Sequence, residues 1–294
     1  MQATRPEKIF WPDDSLTKGD LDAYYQAVAP WLLPYLADRP VVLDRYPDGI
    51  TGKSFFQKKA PDFVPDWVVT RRIWSDEDEG AEARYFRVDD EQALRYLVNL
   101  GAIPLHSWHS RLRTLQTPDW CVLDLDAKDA PFSSVVRTAK EIHRLCRTIG
   151  LPSFVKTSGA TGLHVLIPLG GSCTYDQSKQ LGSVLATIIV QTLPDETSIL
   201  RLPRHRKGRV YVDFLQNGYG KLTVAPFSVR PLPGAPVSTP LRWSEVSTRL
   251  EPKKFTLKTV PTRLRRMKSD PWRDLLTASP DLTTALARLV ELVE

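Results

Sequence analysis

The chain has 294 residues, of which 42% are hydrophobic and 25% charged, with a formal net charge of +6. Those proportions suit a globular fold and exclude a disordered tail, a collagen-like chain and a coiled coil. No run approaches the roughly 18 apolar residues of a membrane span.

Met1–Phe10 carries Arg5, Glu7 and Lys8 without an apolar core, so it does not read as a signal peptide. Thr17-Lys18-Gly19-Asp20 precedes an apolar-periodic stretch, Leu21 to Leu36, and marks a helix start. Val41–Tyr46 reads as a strand, Pro47-Asp48-Gly49 as a turn, and Ser54–Gln57 as the hairpin partner. The acidic stretch 76–80 is expected as an exposed loop, with a short strand over Tyr85–Val88 and a helix over Glu91–Leu100. Cys121–Leu125 is a short apolar strand broken only by Asp124, and a helix runs from about Ser133 to Ile149, stopped by Gly150 and Pro152. Phe154–Lys156 and His164–Pro168 read as strands joined by a glycine-containing turn, and Tyr175–Leu193 as a second long helix. Val210–Phe214 and Lys221–Val224 are expected to form a hairpin, and Pro231–Pro236 a stiff extended segment.

The order gives an α+β (mixed α/β) fold, a mixed sheet flanked by helices with an N-terminal strand and helix module packed on it. Nothing marks a clean boundary, so residues 1–294 are expected to form one unit. Within it, the N-terminal module reaches about residue 100, a core covers about 101–250, and an extension covers 251–294. Cys121, Cys146 and Cys173 are far apart, odd in number and without CxxC spacing, which predicts reduced thiols in a cytoplasmic protein.

Charge is unevenly spread. Arg201–Arg273 holds 17 Lys and Arg against four Asp and Glu, a local +13 that leaves −7 for the rest. Such a basic third suits a polyanion, nucleic acid or nucleotide phosphates, with a solvated soluble face as the alternative.

Val122-Leu123-Asp124-Leu125-Asp126 is the most informative stretch. Strand alternation puts Asp124 and Asp126 on one face and Leu123 and Leu125 on the other. Two carboxylates so placed repel unless a cation lies between them, and hard oxygen donors suit Mg²⁺ or Mn²⁺. Short D-x-D strings also occur as solvated turns at strand ends. A third acid, Asp213, sits alone in the apolar run Val210–Phe214, where it is unfavourable without a partner. Three strand-borne aspartates suffice for a two-metal site, which a polymerase and a nuclease would use equally. In Lys156–His164, small residues allow backbone amides near phosphates, although the spacing is neither a Walker A loop nor a dinucleotide fingerprint. His164 points from a strand face, as a ligand or as a hydrogen-bonded core residue. Arg230 is placed in sequence to clamp a triphosphate, or to pair with a nearby acid.

Four ordered motifs resemble one family: Leu123-Asp124-Leu125-Asp126; Thr157-Ser158-Gly159-x-x-Gly162-Leu163-His164-Val165; Val212 to Asn217; and Ala225 to Arg230. Lys8-Ile9-Phe10-Trp11-Pro12 and Pro233 to Pro240 match as well. The family is the polymerase domain of bacterial ligase D and its stand-alone relatives, in the archaeo-eukaryotic primase superfamily, and the likeness covers about Arg5 to Leu250.

The resemblance implies a primase-polymerase that extends broken DNA ends in non-homologous end joining. Ribonucleotides would be favoured over deoxyribonucleotides as NTP or dNTP substrate, and two Mn²⁺ or Mg²⁺ ions would be held by Asp124, Asp126 and Asp213. Ser158, His164 and Arg230 would hold the incoming phosphates. His106 would lie near the nucleotide sugar, where a contact can favour a 2′-hydroxyl; a buried structural histidine beside Trp108 is the alternative. Lys8 and Lys18 match lysines that grip a downstream 5′-phosphate. Phe55 and Phe56 match aromatics near the template, flanked by Lys53 and Lys58. Arg5 stands where the family often has asparagine in the 5′-phosphate pocket. Thr161 replaces a lysine common in the phosphate-holding turn, leaving Lys156, Lys221 or Arg204 to compensate.

The implied partners are gapped or 3′-overhanging duplex DNA, a Ku end-binding protein and, with no Lys-x-Asp-Gly adenylation motif in the chain, a separate ligase. A monomer associated with the nucleoid is expected. A two-metal nuclease and a non-catalytic DNA-end-binding module remain the alternatives from the residues alone.

Overall fold

The computed structural model describes residues 3–75 and 81–292, so the acidic stretch 76–80 lies outside them. The N-terminal part forms β1 (Ile9–Trp11), β2 (Leu16–Thr17), α1 (Lys18–Leu36), β3 (Val41–Arg45), β4 (Phe55–Gln57), β5 (Thr70–Ser75), β6 (Ala81–Phe86), α2 (Glu91–Asn99) and β7 (Ala102–Ser107). The middle forms β8 (Trp120–Asp126), α3 (Phe132–Thr148), β9 (Phe154–Thr157), β10 (Leu163–Pro168), α4 (Tyr175–Thr192), β11 (Thr197–Ser198), α5 (Pro203–Arg206) and β12 (Val210–Asp213). After a short 3-10 helix (Leu215–Asn217) come β13 (Thr223–Val224), β14 (Pro240–Leu241), α6 (Val260–Arg266) and α7 (Leu282–Glu291). The mixture of sheets and helices is the expected α+β class. Among the described residues no helix is long and apolar enough to cross a membrane.

The chain divides into two compact units, each discontinuous in sequence. The first comprises Met1–Arg113, Leu222–Thr239 and Pro252–Lys268; the second comprises Thr114–Lys221, Pro240–Glu251 and Ser269–Glu294.

The first unit is built on an antiparallel sheet in the order β13-β7-β3-β6-β5, with β4 also paired to β3. α1 starts where its cap residue dictates: Asp20 N–H donates to Thr17 Oγ1 at 3.1 Å and Thr17 N–H donates to Asp20 Oδ2 at 2.8 Å. Its inward stripe includes Leu21, Tyr24, Tyr25, Val28 and Leu32, all buried. The buried phenols need acceptors and find them: Tyr24 donates to Phe227 O at 2.7 Å and Tyr25 to Ile103 O at 2.5 Å.

The second unit has a mixed sheet in the order β11-β12-β8-β10-β9-β14, in which only β11 and β12 run parallel. β8 is central. Its odd-numbered residues face α4, where Gly182 allows close approach: a β-carbon there would stand 3.2 Å from Cys121 Sγ. The even-numbered residues Val122, Asp124 and Asp126 therefore face the opposite side.

Three local expectations need correction. Val210–Phe214 and Lys221–Val224 do not form a hairpin: β12 pairs with β8 and β11, whereas β13 pairs with β7 in the first unit. The intervening 3-10 turn is fastened to β8 by Asn217, which turns the chain away from β12. Pro231–Pro236 is a turn rather than an extended segment, with Gly234 at φ +80° and Ala235 N–H donating to Leu232 O at 3.0 Å. That turn lets Val229 bridge Val237. The strand expected at Tyr85–Val88 begins earlier, at Ala81, because it pairs along its length with β5.

Candidate active site

β12, β8, β10 and β9 bring four polar residues into one line. In register, Asp213 lies opposite Asp124, Asp124 opposite His164, and His164 opposite Lys156. Directly opposed residues share a face of the sheet, with β-carbons about 4.5–5.5 Å apart. Asp126 falls on the same face two residues beyond Asp124, and Tyr211 lies opposite it. The alternation read from the sequence thus places all three aspartates on one surface.

Each acid has a different neighbour. His164 Nε2 stands 3.3 Å from Asp124 Oδ1, with His164 buried. Asp126 Oδ2 accepts from Arg206 Nη1 at 2.9 Å, and its Oδ1 accepts from Lys128 N–H at 3.1 Å. Asp213 Oδ1 accepts from Leu215 N–H at 2.8 Å and its Oδ2 from Gln216 Nε2 at 3.3 Å. Among the described residues no three His, Cys, Asp or Glu side chains close into a ready-made metal group. The donor chemistry nevertheless fits a divalent cation, since the three carboxylates put hard oxygens on one face.

Arg206, which the sequence reading did not single out, is the anchor of this corner. It is buried, donates from Nη1 to Asp126, from Nε to Leu200 O at 3.1 Å and from Nη2 to Arg201 O at 2.7 Å. Its guanidinium lies 3.9 Å from the centre of the Tyr211 ring. The Tyr211 hydroxyl is pushed up to about 12, by burial first and then by Asp213. No periodicity signals such a role, because it depends on which strands become neighbours.

The turn between β9 and β10 is closed by Ser158. Its Oγ accepts from Ala160 N–H and Gly162 N–H, each at 3.1 Å, so these two amides are engaged within the turn. Lys156 is buried on the row beside His164. Asn217 holds β8 through both backbone groups of Val122, accepting from its N–H and donating to its carbonyl, each at 2.7 Å.

The first unit gathers the other expected residues into separate groups. Lys8 and Lys18 meet across the β1–β2 ribbon, where Lys18 N–H donates to Lys8 O at 2.8 Å. Lys8 pairs with Asp48. Lys18 is buried, and its Nζ donates to Thr4 O at 2.9 Å, Thr4 Oγ1 at 3.2 Å and Asn99 Oδ1 at 2.8 Å. Burial depresses its pKa, and the positive charges of Lys8 and Arg5 depress it further. Three cations held within one another's field form an anion-seeking group.

Phe55 and Phe56 on β4 are 47% and 57% exposed, with Lys53 and Lys58 exposed beside them. Arg45 covers the Phe55 ring at 5.1 Å, and Phe56 meets the His106 ring at 5.3 Å. His106 is half-buried on β7, and Trp108 is buried against Tyr85. Arg230 lies in the field of Asp44, whose pKa burial raises while Tyr46 and Arg230 hold it down.

A face of strand-borne aspartates on a mixed sheet, with a buried histidine against one of them, is the arrangement expected of the primase-polymerase class. The family described as the LigD primase-polymerase domain matches residues 17–272, and the chain belongs to that family. It is 32% identical over 290 residues to the multifunctional non-homologous end joining protein LigD of Pseudomonas aeruginosa, covering 98% of this chain and 34% of that protein. It is 32% identical over 268 residues to the bifunctional non-homologous end joining protein LigD of Bacillus subtilis, covering 90% of this chain and 43% of that protein. The chain thus spans less than half the length of these relatives. The polymerase domain from Mycobacterium tuberculosis ligase D, solved in complex with DNA, is similar in structure, with a TM-score of 0.87 at 26% identity. That likeness covers 95% of this chain and 99% of the other.

Proposed function

We propose that this chain is a template-directed polymerase. It adds nucleotides, ribonucleotides by preference, to primer 3′ ends at gaps and breaks during non-homologous end joining. The observation that carries the reading is the row Asp213–Asp124–His164, with Asp126 on the same face. When bound, two Mn²⁺ or Mg²⁺ ions at Asp124, Asp126 and Asp213 would acidify the primer 3′-hydroxyl and neutralise the leaving pyrophosphate.

The protein's own contribution is to fix where those charges sit. β8 fixes the spacing of Asp124 and Asp126, and β12 sets Asp213 opposite. His164 backs Asp124, and Arg206 holds Asp126 by one carboxylate oxygen. Ser158, Lys156, Arg230 and His106 serve the incoming nucleotide, His106 on its sugar side. Arg5, Lys8 and Lys18 take the downstream 5′-phosphate, while Lys53, Phe55 and Phe56 meet the template strand. The whole of residues 1–294 works as one monomeric polymerase unit in the cytoplasm, alongside a Ku-type end-binding protein and a strand-sealing ligase.

The test is primer extension on a gapped duplex, with NTP against dNTP and 5′-phosphate against 5′-hydroxyl. Extension should need Mn²⁺ or Mg²⁺ and vanish in Asp124→Ala while DNA binding persists. Shortening of end-labelled DNA without nucleotides, or wild-type extension by Asp124→Ala, would overturn it.

A further inference from the structure

The segment Pro252–Lys268 of the first unit carries seven lysines and arginines and no acid. Leu257, Val260 and Leu264 are buried and anchor it, which leaves the cations outward. Lys253, Lys258, Arg265, Arg266 and Lys268 are exposed, and none is in an ion pair among the described residues. Lys254, Arg263 and Arg266 line a cavity of about 370 Å³ with Phe255 in its wall, and the Arg263 guanidinium sits 5.3 Å from the Phe255 ring centre.

The helix dipole explains only part of this charge. Arginines in the last turn of α6 are favourable there, but Lys258 stands just before its N-terminus, where the dipole disfavours a cation. Exposed like charges gathered on one segment, as Lys253, Lys258, Arg265, Arg266 and Lys268 are, repel one another unless an anion neutralises them.

The segment is also firmly placed. Val237 N–H donates to Phe255 O at 2.8 Å and Leu257 N–H to Ala235 O at 2.9 Å. Those bonds fasten it to the ribbon whose Arg230 N–H donates to Pro236 O at 2.7 Å. The same ribbon is tied to the N-terminal strand by Trp11 Nε1 donating to Leu232 O at 2.9 Å and by Gly234 N–H donating to Asp14 Oδ2 at 2.7 Å.

We propose that this face is a binding surface for the phosphate backbone of duplex DNA, distinct from the acidic row and from the Arg5–Lys8–Lys18 group. Lys253, Lys258, Arg265 and Lys268 neutralise successive phosphates, and the cavity takes one phosphate between Lys254, Arg263 and Arg266. It rests on the polymerase reading only for the choice of DNA as the polyanion.

The experiment is binding of a blunt duplex with 5′-hydroxyl ends, without metal or nucleotide, by fluorescence anisotropy over a range of salt. Each lost phosphate contact lowers the slope of log K against log[salt] by about 0.9, so Lys258→Gln, Arg265→Gln and Arg266→Gln combined should lower it by about 2.7. At low salt the affinity should fall at least tenfold. A second pair, Lys253→Gln with Lys268→Gln, should lower the slope by about 1.8, which keeps the test independent of α6 folding. Unchanged slopes in both variants would overturn the surface. If the chain extends no primer yet the slopes fall, the polymerase reading fails and this surface stands. If extension is normal and the slopes do not move, the reverse holds.

Discussion

Gly162 lies so close to Leu125 that a β-carbon at 162 would overlap the Leu125 carbonyl oxygen. The glycine immediately precedes β10, opposite Asp126 in the register that pairs Leu163 with Leu125. Its sequence context suggested a backbone open to phosphates; its first requirement is steric, to let β10 meet β8. Gly162→Ala must push β10 off β8 and with it His164, which stands 3.3 Å from Asp124. Overpacking of this kind costs about 1–3 kcal/mol. We expect that loss in urea unfolding, together with at least a tenfold fall in primer extension; wild-type values for both would sink the account.

Asn217 satisfies both backbone groups of Val122 from one buried amide, each bond at 2.7 Å. Asn217→Ala leaves a buried N–H and C=O without that partner, each worth about 1–3 kcal/mol. A stability loss of about 2–4 kcal/mol is expected, read as a lower urea midpoint at unchanged m-value. Extension should fall too, since Asp213 sits on the strand this clamp positions. A midpoint unmoved from wild type would show that the clamp is dispensable.

Much of this was legible because local rules and tertiary structure agree. Thr17 and Asp20 announce α1, and Gly150 ends the helix now seen at Phe132–Thr148. The alternation of Asp124 and Asp126 puts them on one face whatever the strand pairs with. What stayed hidden depends on pairing. β5 carries Arg71, Arg72 and an exposed Trp74 at a sheet edge, so its polar, aromatic mixture does not read as a strand. Val210–Asp213 and Thr223–Val224 look like a hairpin by proximity, but β8 offers the first a longer partner and β7 captures the second. Arg206 is one basic residue among many until the register sets Tyr211 opposite Asp126.

Arg206 reaches three oxygens at once, on Asp126, Leu200 and Arg201, while covering Tyr211. Only a planar fork can do so; lysine is a point charge on a flexible stem. Arg206→Ala and Arg206→Lys should therefore both lower extension at least tenfold at saturating Mn²⁺, with little effect on duplex binding. Rescue by lysine would show that charge alone matters, contrary to the geometry.

His109 is fully buried, held by Thr223 Oγ1 at 3.2 Å from its Nε2, and its pKa falls to about 3 by burial and then by Arg39. Unfolded histidine titrates near 6.5, so between about pH 6.5 and 3 the unfolded chain binds the extra proton. Stability should thus fall as pH drops through that window, at up to about 1.4 kcal/mol per pH unit. His109→Asn should flatten the acid limb of stability against pH; an identical limb in both proteins would contradict this origin.

Lys18 tests the 5′-phosphate assignment through its charge. Its pKa is lowered by burial and then by Lys8, so the protonated form is disfavoured in the free protein, and an adjacent phosphate restores it. Binding a 5′-phosphate should therefore take up a proton at pH values above Lys18's depressed pKa, where the free side chain has lost its own. Preference for a 5′-phosphate over a 5′-hydroxyl should shrink as pH rises through that value, below the range where an ordinary lysine titrates. Lys18→Ala also removes bonds to Thr4 and Asn99, so Lys8→Ala, at an exposed ion pair, is the cleaner companion. A charge-assisted contact is worth about 1.5–3 kcal/mol, so each variant should cut the preference roughly tenfold or more. A preference independent of both lysines and of pH would place the 5′-phosphate elsewhere on the protein.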